Sequence, residues 1–287
     1  MDSVAIFGVG LIGGSFGLAL RAAGFQGRIA GVSSPATIAR AVALGAIDQG
    51  LPAEEAAASA DLVFLAQPIR VILETIPGLA GHVSPGALVT DAGSTKRAIM
   101  DAALRELPGA LFVGGHPMAG KELRGVGAAS PDLFRGRIWI LTPARAEDIK
   151  RPQYQAFSQW VERIGAVPLI LDAATHDRTV AFTSHLPQMA STALAATLAE
   201  QLAGTQDVRG PGLEDMTRMA LSSWEIWADI LATNRANIAE ALDLYSTALA
   251  EIRRALGGSQ EPELRKVFER AGKFARPLRD TSNRPPE

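Results

Sequence analysis

The run Val4-Ala5-Ile6-Phe7-Gly8-Val9-Gly10-Leu11-Ile12-Gly13 decides the fold of this chain. Its first four residues are apolar and predict a buried strand; the pattern from Gly14 to Ala23 predicts the helix that follows. Between them stands GxGxxG. Glycines there permit a tight turn and let backbone amides approach a pyrophosphate at the positive end of the helix. Gly8, Gly10, Leu11, Ile12 and Gly13 are therefore candidate cofactor-binding residues. A glycine-rich turn alone is a weak signal, but a strand before it and a helix after it give it weight. Val4 to Leu20 carries no charge, yet its five glycines and the Met1-Asp2 start argue against a membrane span or a signal peptide.

Downstream, short apolar runs alternate with helical patterns. Strands are predicted at Arg28 to Val32, Asp61 to Ala66, Ala87 to Thr90, Leu111 to Gly114 and Ile138 to Leu141, with Val167 to Leu171 as an edge strand. A helix is predicted over Ala36 to Leu44. This rhythm predicts an α/β fold with a Rossmann-type doubly wound parallel sheet. After about Asp172 helical patterns take over, with a long run from Ala173 to Leu202 that Pro187 is expected to kink. Further helices are expected at Ser222 to Leu231, Asn234 to Leu256 and Pro262 to Phe274. The expected organisation is a dinucleotide-binding domain over 1–170, an all-α domain over 171–280 and a polar tail over 281–287.

The composition narrows the function classes. Of 287 residues, 28 are Lys or Arg and 30 Asp or Glu, a net charge of −2 that gives no reason to expect nucleic acid. Apolar residues make up 47% and charged residues 20%, which excludes a disordered chain. With no cysteine there is no disulfide, thiolate metal site or cysteine nucleophile, which is compatible with the cytoplasm. No metal site and no membrane contact are expected. The long apolar helices of the second half suggest a homodimer.

The second strand ends Gly31-Val32-Ser33-Ser34, where an acid for the ribose hydroxyls of NAD would stand. Ser33 and Ser34, with Arg40 or Arg28 nearby, suit a 2′-phosphate, so the cofactor reads as NAD or NADP, leaning to NADP; equally, the serines suit a cap for the next helix. Ala66-Gln67-Pro68, Asp91-Ala92-Gly93-Ser94 and Gly114 to Gly120 follow three successive strands, so Ala66, Pro68 and Gly93 should also line the cofactor. Ser94 suits a helix N-cap, and His82 and His176 read as surface or capping residues. His116 differs: glycines and a proline fix it at a strand end, where a neutral imidazole can accept a hydroxyl proton. His185 shares a helical face with Phe182 and Met189, the usual setting of a core histidine.

GHPMAG (115–120), SHLPQ (184–188), DAGSTK (91–96) and the early GxGxxG together carry a resemblance to the prephenate/arogenate dehydrogenases of tyrosine biosynthesis, from about Val4 to about Ala275. The resemblance implies a Rossmann-type domain followed by a helical dimerisation domain. It implies NAD(P)-dependent oxidative decarboxylation of a cyclohexadienol, prephenate or arogenate, with aromatisation as the driving force. It makes His116 the base that takes the ring hydroxyl proton, and Ser94 the residue that holds hydroxyl and histidine in register. His185 then lines the substrate pocket, and Arg218 binds a substrate carboxylate bidentately. Glu122 stands near the pocket mouth, Asp215 pairs with it or with a partner subunit, and Trp227 is a nearby aromatic. Gln188 stands where many prephenate-specific members have His. With no mutase segment before Val4 and no regulatory domain after Ala275, the expected form is monofunctional. A β-hydroxyacid dehydrogenase is the alternative, disfavoured because Ala173 to Leu202 holds no lysine; a non-catalytic NAD(P)-sensing module has no use for the two histidines.

Overall fold

The computed structural model describes residues 1–202, 208–258 and 260–279; the tail expected over 281–287 lies outside them. The chain begins with β1 (Ser3–Phe7), α1 (Leu11–Ala22), β2 (Arg28–Val32), α2 (Pro35–Ala43), β3 (Gln49–Gly50) and α3 (Ala53–Ala58). It continues through β4 (Leu62–Leu65), α4 (Ile69–Gly78), β5 (Leu88–Asp91), α5 (Arg97–Glu106), β6 (Leu111–Pro117), β7 (Ile138–Pro143), α6 (Pro152–Arg163) and β8 (Val167–Ile170). These strands form one sheet in the order β3-β2-β1-β4-β5-β6-β7-β8, parallel except where β6 meets β7. The strand order reverses between β1 and β4, which is the doubly wound pattern, with its crevice at the carboxyl ends of those strands.

β4 and β5 are buried at every residue, and β1 at all but its first, which is why they read as unbroken apolar runs. Helices cover both faces, and Phe16, Phe64, Phe134, Phe157 and Trp139 meet in the core, Phe16 and Phe64 at 4.5 Å between ring centres. Two boundaries differ from the sequence expectation for physical reasons. Helix α1 begins at Leu11, because the last glycine of GxGxxG lies inside its first turn. Strand β6 runs on to Pro117 rather than ending at Gly114, because β7 returns antiparallel beside it and pairs Ile140 with His116.

Beyond β8 lie α7 (Ala173–Val180), a π-helical segment (Ala181–His185), α8 (Leu186–Gln201), α9 (Pro211–Thr217), a 3₁₀ turn (Arg218–Leu221), α10 (Trp224–Thr233), α11 (Arg235–Gly257) and α12 (Glu261–Arg279). The expected irregularity at Pro187 takes the form of the π segment just before it, since proline offers no N–H to the helix ladder.

By compactness the chain groups into two units: Met1–Thr179 with Ser222–Thr233, and Val180–Leu221 with the chain from Asn234 onward. This grouping differs from a division by secondary-structure type near residue 170. Helices α7 and α10 are tied by hydrogen bonds to the sheet unit. Asp177 of α7 accepts from the backbone of Lys96 and Arg97, and Asp229 of α10 accepts from the Arg70 N–H at 3.0 Å.

Candidate active site

The carboxyl edge of the sheet is set by register: Val32, Phe7, Leu65 and Asp91 lie level across β2, β1, β4 and β5. Gly8, directly beyond β1, has φ +88°, and a Cβ there would lie 2.6 Å from the Ala66 carbonyl oxygen, so the turn requires glycine. At Gly10 a Cβ would meet nothing within 4 Å, which leaves open space before the first turn of α1. That turn carries no acidic residue and no side-chain cap, so its N–H groups keep their positive potential. These features fit the pyrophosphate of a dinucleotide at the start of α1, where Ala66 lies against the turn.

At the end of β2, Ser33 and Ser34 are exposed. Ser34 caps α2, with its Oγ donating to Thr37 Oγ1 at 2.9 Å, and Arg40 is exposed on the same helix. Arg28 is removed from this group. It begins β2, pairs with Ser3, and stands four residues from the strand's carboxyl end, roughly 13 Å away at strand spacing.

His116 stands two residues beyond the level of Asp91, because Val113 pairs with Thr90. The antiparallel β7 holds it there. Its Nδ1 lies 2.8 Å from His176 Nε2, and His176 Nδ1 lies 2.7 Å from Asp177 Oδ1. Asp177 in turn receives the Lys96 N–H at 2.7 Å and the Arg97 N–H at 3.0 Å, and so caps α5 from a distant part of the sequence. Ser94, half-buried in the preceding loop, therefore does not cap α5; the cap comes from Asp177. Neighbouring Thr95 donates its hydroxyl to Thr233 of α10 at 2.8 Å.

Below this chain lies a fully buried ion pair between Lys96 and Asp91. Lys96 Nζ also donates to the Gly115 carbonyl at 2.7 Å, and Asp91 accepts from the N–H groups of Gly93 and Gly115 at 2.7 and 3.0 Å. A Cβ at Gly115 would collide with the Asp91 carbonyl oxygen, so the second glycine of GGHP lets β6 pass close by the pair.

The network assigns the protons. A carboxylate only accepts, so His176 Nδ1 carries hydrogen. Burial pushes His176 below the ordinary histidine pKa; the bond to Asp177 pulls the other way and the Lys96 charge adds to the lowering, so the ring is neutral. Its Nε2 then accepts, and His116 Nδ1 donates. A neutral His116 with hydrogen on Nδ1 carries its lone pair on Nε2. Asp177 stays ionised: burial pushes its carboxyl up, but the bonds from His176, Lys96 and Arg97 outweigh this and hold it below the usual range.

Within the second unit His185 is buried at the end of the π segment. Its Nδ1 faces the Asn234 amide nitrogen at 3.2 Å, and Asn234 accepts from Asn237 at 2.7 Å. Asn234 is the donor, so neutral His185 carries its hydrogen on Nε2. One turn along α8, buried Gln188 donates to the Met219 carbonyl at 2.7 Å, and Ser191 Oγ accepts from the Ala220 N–H at 3.1 Å. Both bonds fasten the turn that begins at Arg218. Arg218 and Asp215 are exposed in this unit; Glu122 is exposed and Trp227 half-buried in the sheet unit.

Sequence reasoning missed His176, Asp177, Lys96 and Asp91 as site residues. His176 is completely buried at the centre of the network, neither surface nor cap, whereas His82 is 43% exposed beside Glu54 as expected. The adjacent His-Asp pair and the two opposite charges within DAGSTK were the available signals.

Lys96→Met would leave the Asp91 carboxylate buried without its counter-charge and should cost about 3–5 kcal/mol. Denaturant unfolding reads this loss, and adding Asp91→Asn should recover part of it. Wild-type stability in the single variant would show that the pair contributes nothing.

Residues 16–169 match the model of the prephenate dehydrogenase nucleotide-binding domain, and residues 172–270 that of the prephenate dehydrogenase dimerization domain. The prephenate dehydrogenase of Lactococcus lactis is 30% identical over 284 residues, covering 96% of this chain and 77% of that protein. The crystal structure of Aquifex aeolicus prephenate dehydrogenase in complex with hydroxyphenyl propionate and NAD+ superposes with a TM-score of 0.89 at 32% identity, covering 97% and 98% of the two chains. Synechocystis arogenate dehydrogenase superposes at 0.83 with 29% identity, covering 96% and 99%. Two domain models matched in order, and relatives aligned over nearly the whole length, leave one conclusion: this chain belongs to the prephenate dehydrogenase family of oxidoreductases.

Proposed function

We propose that this chain oxidises and decarboxylates prephenate or arogenate with His116 as the general base. The observation that carries this reading is the proton assignment at His116. An imidazole held with hydrogen on Nδ1, at the same carboxyl edge of the sheet as the glycine turn, presents the Nε2 lone pair needed to take a hydroxyl proton. When bound, the oxidised nicotinamide supplies the hydride acceptor. The Gly8–Gly13 turn, Ala66, Pro68 and Gly93 hold the cofactor. Ser94 keeps hydroxyl and imidazole in register. The substrate carboxylate opposite the hydroxyl leaves as carbon dioxide once the ring becomes a dienone.

On this reading His185 serves as a hydrogen-bond donor through Nε2 and Arg218 as the carboxylate clamp, its planar fork suited to two parallel bonds. Gln188 supports the clamp indirectly through Met219. Glu122, Asp215 and Trp227 complete the surroundings of the substrate. Exposed Ser33, Ser34 and Arg40, with no acid at the end of β2, support a preference for NADP over NAD. A homodimer accounts for the apolar residues that α12 leaves uncovered, with Phe268 and Phe274 each about three-quarters exposed.

Steady-state assays crossing prephenate and arogenate with NAD+ and NADP+ test the reading. Turnover with one of these substrates and a higher kcat/KM with NADP+ are expected; no turnover in any combination overturns it. His116→Asn should lower kcat by about 10²–10⁴-fold with cofactor affinity retained. Arg218→Ala should raise the substrate KM by about 10–100-fold, the scale of losing hydrogen bonds to a charged group. An unaltered KM would remove Arg218 from the carboxylate site. Light scattering should give twice the mass of one chain, and a monomer mass would contradict the dimer.

A further inference from the structure

We infer that His176 and Asp177 are positioning residues for the reaction, fixing the tautomer of His116 and offsetting the positive charge it gains with the substrate proton. This rests on the reading of His116 as the base. The geometry is a buried line of three groups, with 2.8 Å between the two rings and 2.7 Å from His176 to the carboxylate. Its far end is anchored by two backbone N–H groups at the start of α5, so the carboxylate cannot turn away without leaving those donors unsatisfied.

Reversing the tautomers is opposed at every link. If His116 carried its hydrogen on Nε2, two lone pairs would face each other between the rings. Restoring that bond by moving the His176 hydrogen to Nε2 would set its Nδ1 lone pair against Asp177. With His176 neutral, as its burial favours, one arrangement satisfies all three groups, and it leaves the lone pair on His116 Nε2.

The charged groups that act on His176 are Asp177, Lys96 and Asp91. Asp177 lies on α7 with His176, Asp91 is the last residue of β5, and Lys96 directly precedes α5. The Lys96 charge is matched by Asp91, so Asp177 is the carboxylate whose bond reaches the rings. In the proton transfer the substrate O–H bond breaks and an Nε2–H bond forms on His116. Its Nδ1–H stays directed at His176, and Asp177 remains ionised. Neutral His176 between them keeps the carboxylate from holding His116 permanently protonated, yet passes on enough of its field to favour the imidazolium when it forms.

The test is the nitrogen NMR spectrum of the full-length protein labelled with ¹⁵N-histidine. The chain has only four histidines, so His116→Asn identifies the signals of His116 by their loss. The expected wild-type spectrum shows hydrogen on His116 Nδ1 and a lone pair on Nε2; the opposite tautomer overturns the inference. Asp177→Asn removes the charge and keeps the shape. It should lower kcat by about 10–100-fold, part of the 10²–10⁴ of general-base catalysis, and move the acid limb of the pH profile to lower pH, because the imidazolium loses a stabilising anion. Substrate KM and cofactor affinity should stay as in wild type. Unchanged kcat and pH limb in that variant overturn the inference while leaving His116 as base. Full turnover in His116→Asn overturns the reading of the base, and this inference with it.

Discussion

The carboxylate of Asp177 at the start of α5 is the contact on which the arrangement of the site depends. Helices of a doubly wound sheet point their N-termini at the binding edge, and each leaves several N–H groups without a helical partner. Here the chain supplies side-chain acceptors at three of those helix ends. Asp177 takes the first donors of α5, Asp229 one of α4, and Ser34 one of α2. Helix α1 alone among these begins at a glycine with no side-chain cap and no acid in its first turn. Capping of α2, α4 and α5 leaves α1, of these four, with its positive end open to a phosphate. It also fastens α7 and α10 to the sheet, and places His176 beside His116.

A second constraint is proton placement. His116 and His185 belong to the two motifs that carry the family resemblance, and the chain holds them in opposite tautomers. An aspartate two groups away puts the hydrogen of His116 on Nδ1, and an asparagine amide puts that of His185 on Nε2. One imidazole is thereby shaped to accept and the other to donate. The buried Lys96–Asp91 pair supports the first, since the lysine grips the Gly115 carbonyl directly before His116 in β6.

The fold was legible in the sequence because central parallel strands are buried on both faces. Val4–Phe7 and Asp61–Ala66 therefore read as apolar runs bounded by glycines and polar residues. The extension of β6 through His116 was not, since GGHP has the composition of a loop and becomes strand only through pairing with Ile138–Pro143. The candidate base and the dinucleotide turn were visible as motifs. His176 was not, because a histidine near the start of a helix looks the same whether it faces water or a second imidazole. Long-range capping is likewise silent in sequence: 81 positions separate Asp177 from Lys96.

The central claim is that His116 Nε2 takes the substrate's proton. It is tested most directly by the pH dependence of kcat/KM in wild type and in His116→Asn. The account predicts an acid limb in the wild-type profile, where His116 becomes protonated and stops serving as a base, and its disappearance from the residual activity of the variant. An acid limb of the same position and depth in both proteins would contradict it.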